Sequence, residues 1–540
     1  MTAAADVIVV GSGASASSAA FPLVANGLSV LMLDVGNAGT RYAGLVPDAP
    51  FAELRRTDPG QHRYFLGDDF EGLPFGRVRV GAQLTPPRQF IVEDVEELAP
   101  TRAGDFSAFQ SFALGGLAAG WGAVANEFLD ADLEGYPIRH RDLKPHYDAV
   151  ARRIGIAGRR DDLLPYYGDC TELQPPLAID AGAECCLAAY ERRREALNRA
   201  GLHAGLPRLA VLSRDLGARR GQSYHDMDFY ADSGHSVFRP AFAVEELRAQ
   251  SRFTYLAPRL VESFRELADG NGVEVTAVNP RSGREEVFRA RRLVLAAGTF
   301  GTIRIVLRSL GRYDTPVPFV ANPYRYAVCV NLAMLGKPGK DRRHSLSQLG
   351  LVYDPERSGK PLIDAQTFSY RSLLLFKVAK ESPLAVPESL RILRDVQSAF
   401  VIIGINHEDR PAPGKRCLLR RGTAGKRDTL EVEHAVEPAE KRRQRRAEKA
   451  FLRLLRKLGC WPLRRIDPGE GSSIHYGGTL PMTVEDRELT ADPVCRLRGT
   501  RSVYVADGSV LPFLPAKSLT FTLMANAERV GAAVAADLEG

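Results

Sequence analysis

The residues that most clearly announce chemistry lie near the start of this 540-residue chain, in Gly11-Ser12-Gly13-Ala14-Ser15-Ala16. They follow directly on Asp6-Val7-Ile8-Val9-Val10, apolar after its first residue, and precede an alanine-rich stretch. A glycine first in such a motif permits a tight strand-to-helix turn, and one in third place lets the backbone approach a pyrophosphate. A small residue in sixth place keeps the helix close to the strand, and the free N–H groups at its start face the phosphates. Asp34 stands 23 residues after Gly11, at the end of the next apolar run, where a carboxylate accepts hydrogen bonds from a ribose. Strand, turn, helix and acid in this register predict a dinucleotide site, for FAD or NAD, since both contain the same adenosine diphosphate half. No second strand-linked motif of this kind follows, which argues against a two-nucleotide flavin reductase. Ala296-Ala297-Gly298 in mid-chain and Val505-Ala506-Asp507-Gly508 near the end point to a split sheet that cradles an extended FAD.

The elements that must hold these groups can be read from periodicity. Residues 6–10 and 28–33 are expected to be buried parallel strands, joined by a helix over 14–26 that Pro22 should kink. A third strand over 292–298 leads into a helix over 303–310. A last strand over 502–505 leads into a helix over 519–538. One nucleotide-binding sheet is thus assembled from the start, middle and end of the chain, and the intervals must loop out. Strand patterns over 326–335, 373–377, 400–405 and Thr429–His434 predict a mainly antiparallel sheet in a second domain. The fold class expected is α/β, with a Rossmann-like FAD-binding domain built from discontinuous segments beside a substrate domain. The boundaries expected are 1–45, 76–135, 236–319 and 460–540 for the first, and 46–75, 136–235 and 320–459 for the substrate domain and lid segments. Residues 45–75 and 156–235 read as irregular.

Length and composition exclude a hormone, a lone binding module and a disordered chain: 45% of residues are hydrophobic and 25% charged. Seven cysteines, an odd number without CxxC spacing, read as buried thiols and not as a zinc site, so no metal is expected. No apolar run approaches the roughly 20 residues of a membrane span, and residues 1–10 lack a signal-peptide pattern, so a cytoplasmic protein without membrane contact is expected. The net charge is +7, and the densest basic run is Lys441-Arg442-Arg443-Gln444-Arg445-Arg446. Ala447, Ala450, Phe451, Leu454, Leu455 and Leu458 follow at helical spacing before Gly459, so the basic run reads as the wet face of an amphipathic helix and not as a nucleic-acid site.

Three separated blocks carry a family resemblance. His475-Tyr476-Gly477-Gly478-Thr479, the strand through Asp507-Gly508-Ser509 with its following helix, and Gly298-Thr299-Phe300-Gly301-Thr302 resemble the glucose-methanol-choline (GMC) oxidoreductases, flavin-dependent alcohol oxidases and dehydrogenases. A fourth block, Leu114-Gly115-Gly116 through Gly120-Trp121-Gly122, is similar to the pyranose-oxidase-like branch, in which some members link flavin to a histidine before the tryptophan. Gly120 stands there in this chain, so the FAD is expected to be non-covalent.

The resemblance implies that Gly11, Gly13, Ala14, Ser15, Ala16, Asp34, Gly115, Gly116, Trp121, Gly122, Val261, Ala297, Gly298, Asp507, Gly508 and Ser518 bind the cofactor. It singles out His475, among ten histidines, as the base that takes an alcohol proton while hydride passes to flavin N5. The family's second catalytic group, Asn or His, aligns with Ser518, which is shorter and does not titrate near pH 7. Lys517 beside it is a further candidate, reaching either the site or solvent. The expected function is oxidation of a CH–OH group on a small polar metabolite, sugar-like, polyol or aminoglycoside-type. Its acceptor would be O2 or another oxidant, and a hydroxynitrile-lyase-like enzyme retaining FAD is the alternative. The oligomeric state is left open.

Overall fold

The computed structural model describes residues 5–39, 42–68, 86–224, 231–268, 270–337, 344–358, 363–369, 383–385, 387–388, 397–423 and 425–539. Val7, Ile8 and Val9 are fully buried because strand Ala5–Val10 lies at the centre of a seven-stranded sheet. Val30–Leu33 flanks it in parallel on one side, with Phe253–Leu256 beyond, and Glu285–Leu295 flanks it on the other. Glu285–Leu295 serves two purposes. Its last residues pair in parallel with Ala5–Val10 and Val503–Val505, and its first half pairs antiparallel with Val273–Val278, which continues to Leu260–Glu266. Start, middle and end of the chain therefore share one sheet, as the apolar runs predict.

Helix Ala14–Ala25 is continuous through Pro22 and packs on the final helix, Thr520–Glu539. A Cβ at Gly531 would stand 2.7 Å from the Pro22 ring and still closer to the Ala19 carbonyl, so only a glycine lets the two helices cross here.

The second sheet has six strands in the order Cys460–Ile466, Tyr324–Asn331, Phe400–Asn406, Ile363–Ser369, Leu349–Tyr353 and Leu202–Gly205, every adjacent pair antiparallel. The period-2 alternation divides its faces. Ala327, Cys329, Ala365, Ile403 and Ile405 bury themselves against Phe451 and Leu455 of helix Pro438–Leu455. Tyr324, Tyr326, Gln366 and Asn406 face the other way, toward the first sheet. Lys441, Arg442, Arg443, Arg445 and Arg446 lie on the helix's exposed side, and Gly459 ends the turn after it with φ near +84°.

Several expectations change. The strand expected over 326–335 stops at Asn331, whose side chain accepts from the Ala333 amide and caps a short 3-10 turn. Thr429–His434 forms as expected but joins a separate small sheet with Lys415–Arg420, Val317–Pro318 and Thr101–Arg102. The strand expected over 373–377 falls outside the described residues. Residues 156–235, read as irregular, contribute strand Leu202–Gly205 and helix Ala181–Glu191, and residues 45–75 contain helix Phe51–Thr57. Their short, irregularly spaced apolar positions hid these elements from periodicity. No described helix is long and apolar enough to cross a membrane.

Candidate active site

A cavity of about 390 Å³ runs between the two sheets, within the range of small-molecule sites. Gly11, Ser12, Gly13, Ala14, Ser15 and Asp34 line it from the first sheet. Gly11 has φ near +96°, and a Cβ on it would stand 2.7 Å from the Ala296 carbonyl oxygen, which accounts for the first glycine of the motif. Gly13 caps helix Ala14–Ala25 without a side-chain hydrogen bond, leaving the helix N-terminus to an external anion. A Cβ on Gly13 would meet protein no closer than 3.8 Å, so the protein itself leaves room there. Ala16 is fully buried against the core and does not face the cavity.

Asp34 is tied into this turn. Ser12 Oγ donates to its Oδ2 at 2.5 Å and the Tyr255 hydroxyl donates to the same oxygen at 3.0 Å. Burial pushes its carboxyl up to about 6, against the pull of those two donors. Ser12 Oγ in turn accepts from the Gly115 amide at 3.0 Å, so the glycine-rich block is docked on the nucleotide turn. Gly116 presses closely there, since a Cβ on it would lie 3.3 Å from Gly13 Cα. Ser12 and Tyr255 escaped the sequence reading because a serine inside a glycine motif and a tyrosine 221 residues from Asp34 carry no local signal.

Trp121 and Gly122 line the cavity, the indole N–H held by the Phe238 carbonyl at 2.7 Å. Val261, Ala297 and Gly298 line it from the middle segments, and Asp507 and Gly508 from the last. Asp507 accepts from Thr302 Oγ1 at 2.5 Å and from the Ser509 amide at 3.0 Å, and burial raises its pKa. Gly508 and Gly477 have a packing reason: a Cβ on either would lie within 3 Å of the other segment's backbone oxygen. Gly477 of the histidine motif thus seats its strand on the Asp507 turn, and the Gly478 amide donates to the Gly508 carbonyl at 3.1 Å.

His475 opens partly onto the cavity. Strand Tyr476–Gly477 pairs antiparallel with Val320–Ala321, which sets Asn322 beside it. Asn322 Oδ1 lies 3.2 Å from His475 Nδ1, and burial pushes the imidazole down to about 4, so it is neutral at pH 7. Ser518 lines the same cavity. Lys517 does not. Its ammonium is paired with Asp132 and donates to the Glu127 carbonyl at 3.3 Å, with no exposure of the side chain. The expectation that it reaches the reacting groups or solvent is corrected: a buried carboxylate has claimed it.

The second sheet closes the cavity with neutral polar groups. Gln366 accepts from Ser347 Oγ at 2.6 Å and donates to the Tyr167 hydroxyl at 3.3 Å. Asn406 Oδ1 is buried without a partner among the described residues. Asn322, Tyr324, Gln366 and Asn406 come together only through strand register, and nothing in their local sequence marks them. No set of three potential metal ligands occurs among the described residues.

This arrangement fits FAD: an unfilled glycine turn at a helix N-terminus, a carboxylate beyond it, and one continuous cavity from there to a neutral histidine. Residues 424–527 match the family model described as GMC oxidoreductase. Over 99% of its length the chain is 24% identical to paromamine 6'-oxidase of Streptomyces fradiae, and the match covers 92% of that protein. It is 23% identical, with the same coverage of both chains, to 6'''-hydroxyparomomycin C oxidase of Streptomyces lividus. Among solved structures, pyridoxine 4-oxidase from Mesorbium loti superposes with a TM-score of 0.61 at 16% identity, covering 98% of this chain and 99% of that one. A formate oxidase variant from Aspergillus oryzae RIB40 does so with a TM-score of 0.61 at 12% identity, covering 100% and 99%. The carboxy-terminal segment thus matches the GMC oxidoreductase family model, and nearly the whole chain is similar in sequence to two oxidases and in fold to two more.

Proposed function

We propose that the protein oxidises a hydroxyl of an aminoglycoside-type sugar to a carbonyl, with non-covalent FAD as cofactor and O2 as acceptor. The observation that carries this reading is a neutral His475, held at Nδ1, on a cavity that also contains the glycine turn and a wall of amide and phenol groups. When bound, FAD supplies the hydride acceptor. Gly11, Gly13, Ala14, Ser15 and Asp34 would hold its adenosine diphosphate half, and Trp121, Gly122, Ala297, Gly298, Asp507 and Gly508 would line the remainder.

In this reading the substrate hydroxyl sits against His475 Nε2 and Ser518. The O–H proton passes to Nε2, the C–H electron pair leaves as hydride, and the C–O bond becomes a carbonyl. Asn406 Oδ1 accepts an N–H or O–H of the sugar, since a buried carbonyl without a partner is costly until a ligand donates to it. The relatives named paromamine 6'-oxidase and 6'''-hydroxyparomomycin C oxidase support an aminosugar alcohol over a free pyranose. A non-covalent cofactor is supported by Gly120, which offers no side chain to bond the flavin at the position before Trp121.

The test is anaerobic mixing of the FAD-loaded protein with paromamine, neutral hexoses, polyols and a cyanohydrin. Bleaching of the flavin by paromamine is the expected result. Cyanohydrin cleavage without bleaching by any alcohol would replace this reading with a lyase.

A further inference from the structure

We propose that Asn322 is the positioning residue that fixes the tautomer of His475, holding the proton on Nδ1 and keeping the Nε2 lone pair for substrate. The inference rests on His475 being the base.

The orientation of the Asn322 amide is decided by its surroundings. Its Nδ2 donates to the His407 carbonyl at 2.7 Å and the Pro515 carbonyl at 2.9 Å. Two carbonyl oxygens can be faced only by an NH2 group, so Oδ1 must be the atom turned to His475, 3.2 Å from Nδ1. A carbonyl oxygen cannot donate, so the hydrogen between them belongs to Nδ1. A neutral imidazole carries one N–H, and Nε2 is therefore the acceptor. The other tautomer would set the Nδ1 lone pair against the Oδ1 lone pairs and offer substrate a donor where an acceptor is needed.

Asn322 is itself immobilised. It is fully buried, and the Ala321 amide before it donates to Asp409 Oδ2 at 2.8 Å. Asp409 is in turn paired with Lys415 and receives His434 Nε2 at 3.2 Å. When His475 accepts the substrate proton, both ring nitrogens carry hydrogen, and the Nδ1–H to Oδ1 bond becomes one from a cation. Such bonds are stronger than neutral ones, so the same residue also steadies the charged histidine. Removing this acceptor should slow substrate oxidation by about 10- to 100-fold, the rate equivalent of losing one hydrogen bond to a charged group.

The tautomer is read by nitrogen-15 NMR of histidine-labelled protein, with His475→Ala assigning the resonance. The wild type should show a protonated Nδ1 and an unprotonated Nε2. A protonated Nε2 would overturn the proposal without reference to any Asn322 variant. Asn322→Leu should lose that signature and slow anaerobic flavin reduction by the stated factor; a variant that keeps both the signature and the wild-type rate would overturn the proposal. Asn322→Leu added to His475→Ala should slow reduction no further, and an independent loss of equal size would reduce Asn322 to a structural role. If His475→Ala reduces at the wild-type rate while the tautomer is as stated, the base assignment fails and the positioning geometry stands.

Discussion

Replacing Lys517 by methionine separates a structural lysine from a catalytic one. The ammonium and Asp132 are both buried, the carboxylate 3% exposed and the lysine 0%. Burial pushes the Asp132 carboxyl up, while Lys517 and the Leu129 amide pull it back. Lys517→Met removes the cation and leaves that carboxyl without its partner, a change that costs about 3–5 kcal/mol in buried pairs. At about 2.1 cal/mol/K per residue, cooperative unfolding of this chain has an entropy of roughly 1.1 kcal/mol/K, so Tm should fall by about 3–4 °C. Adding Asp132→Asn should recover most of the loss, because the amide oxygen still accepts from the Leu129 amide, now at 2.8 Å from Asp132 Oδ2, and no charge remains buried. Differential scanning fluorimetry of the FAD-loaded single and double variants measures the shift, and anaerobic stopped-flow reduction measures chemistry. Reduction by substrate should stay within about threefold of wild type, since Lys517 stands outside the cavity. An unchanged Tm with reduction abolished would refute this reasoning and return Lys517 to the reacting groups.

Gly13→Val should yield folded but colourless protein, because the protein leaves 3.8 Å around the added Cβ and only a bound phosphate would collide with it; a fully flavin-loaded variant would sink the pyrophosphate assignment. FAD affinity of the apoprotein, followed by calorimetry, should weaken as pH falls through about 6, where Asp34 takes up a proton and ceases to be a full acceptor for a ribose hydroxyl. A flat profile from pH 5 to 8 would argue that Asp34 does not touch the cofactor. The imidazole of His475, lowered to about 4, should leave the rate of flavin reduction without a histidine limb between pH 5 and 8, with loss only as pH falls through about 4 and the base becomes protonated. Asn406→Leu should raise KM for an aminosugar by about 10-fold, the scale of one hydrogen bond, with little change in the limiting reduction rate. A loss confined to that limiting rate would place Asn406 with the reacting groups.

What could be read in the sequence was local in its physics. The turn at Gly11 needs positive φ, the run of residues 7–10 is apolar because a central parallel strand is covered on both faces, and Asp34 follows its strand at a characteristic distance. The amphipathic period after Lys441 announced helix Pro438–Leu455 with its solvated basic face, and Gly459 its end. Such signals survive because each depends on a few neighbouring residues. Tertiary structure alone decided the partners. Asn322 meets His475, 153 residues away, because Val320–Ala321 pairs with Tyr476–Gly477. Asn406 reaches the cavity because strand register puts it in line with Tyr324 and on the face opposite Ile405. Lys517 and Ser518 are neighbours in sequence with the same claim on the site, and the fold sends one to Asp132, 385 residues earlier, and the other to the cavity. A buried carboxylate demands a cation wherever the chain can bring one, and that demand has no sequence signature, because it arises only after burial has stripped the water away.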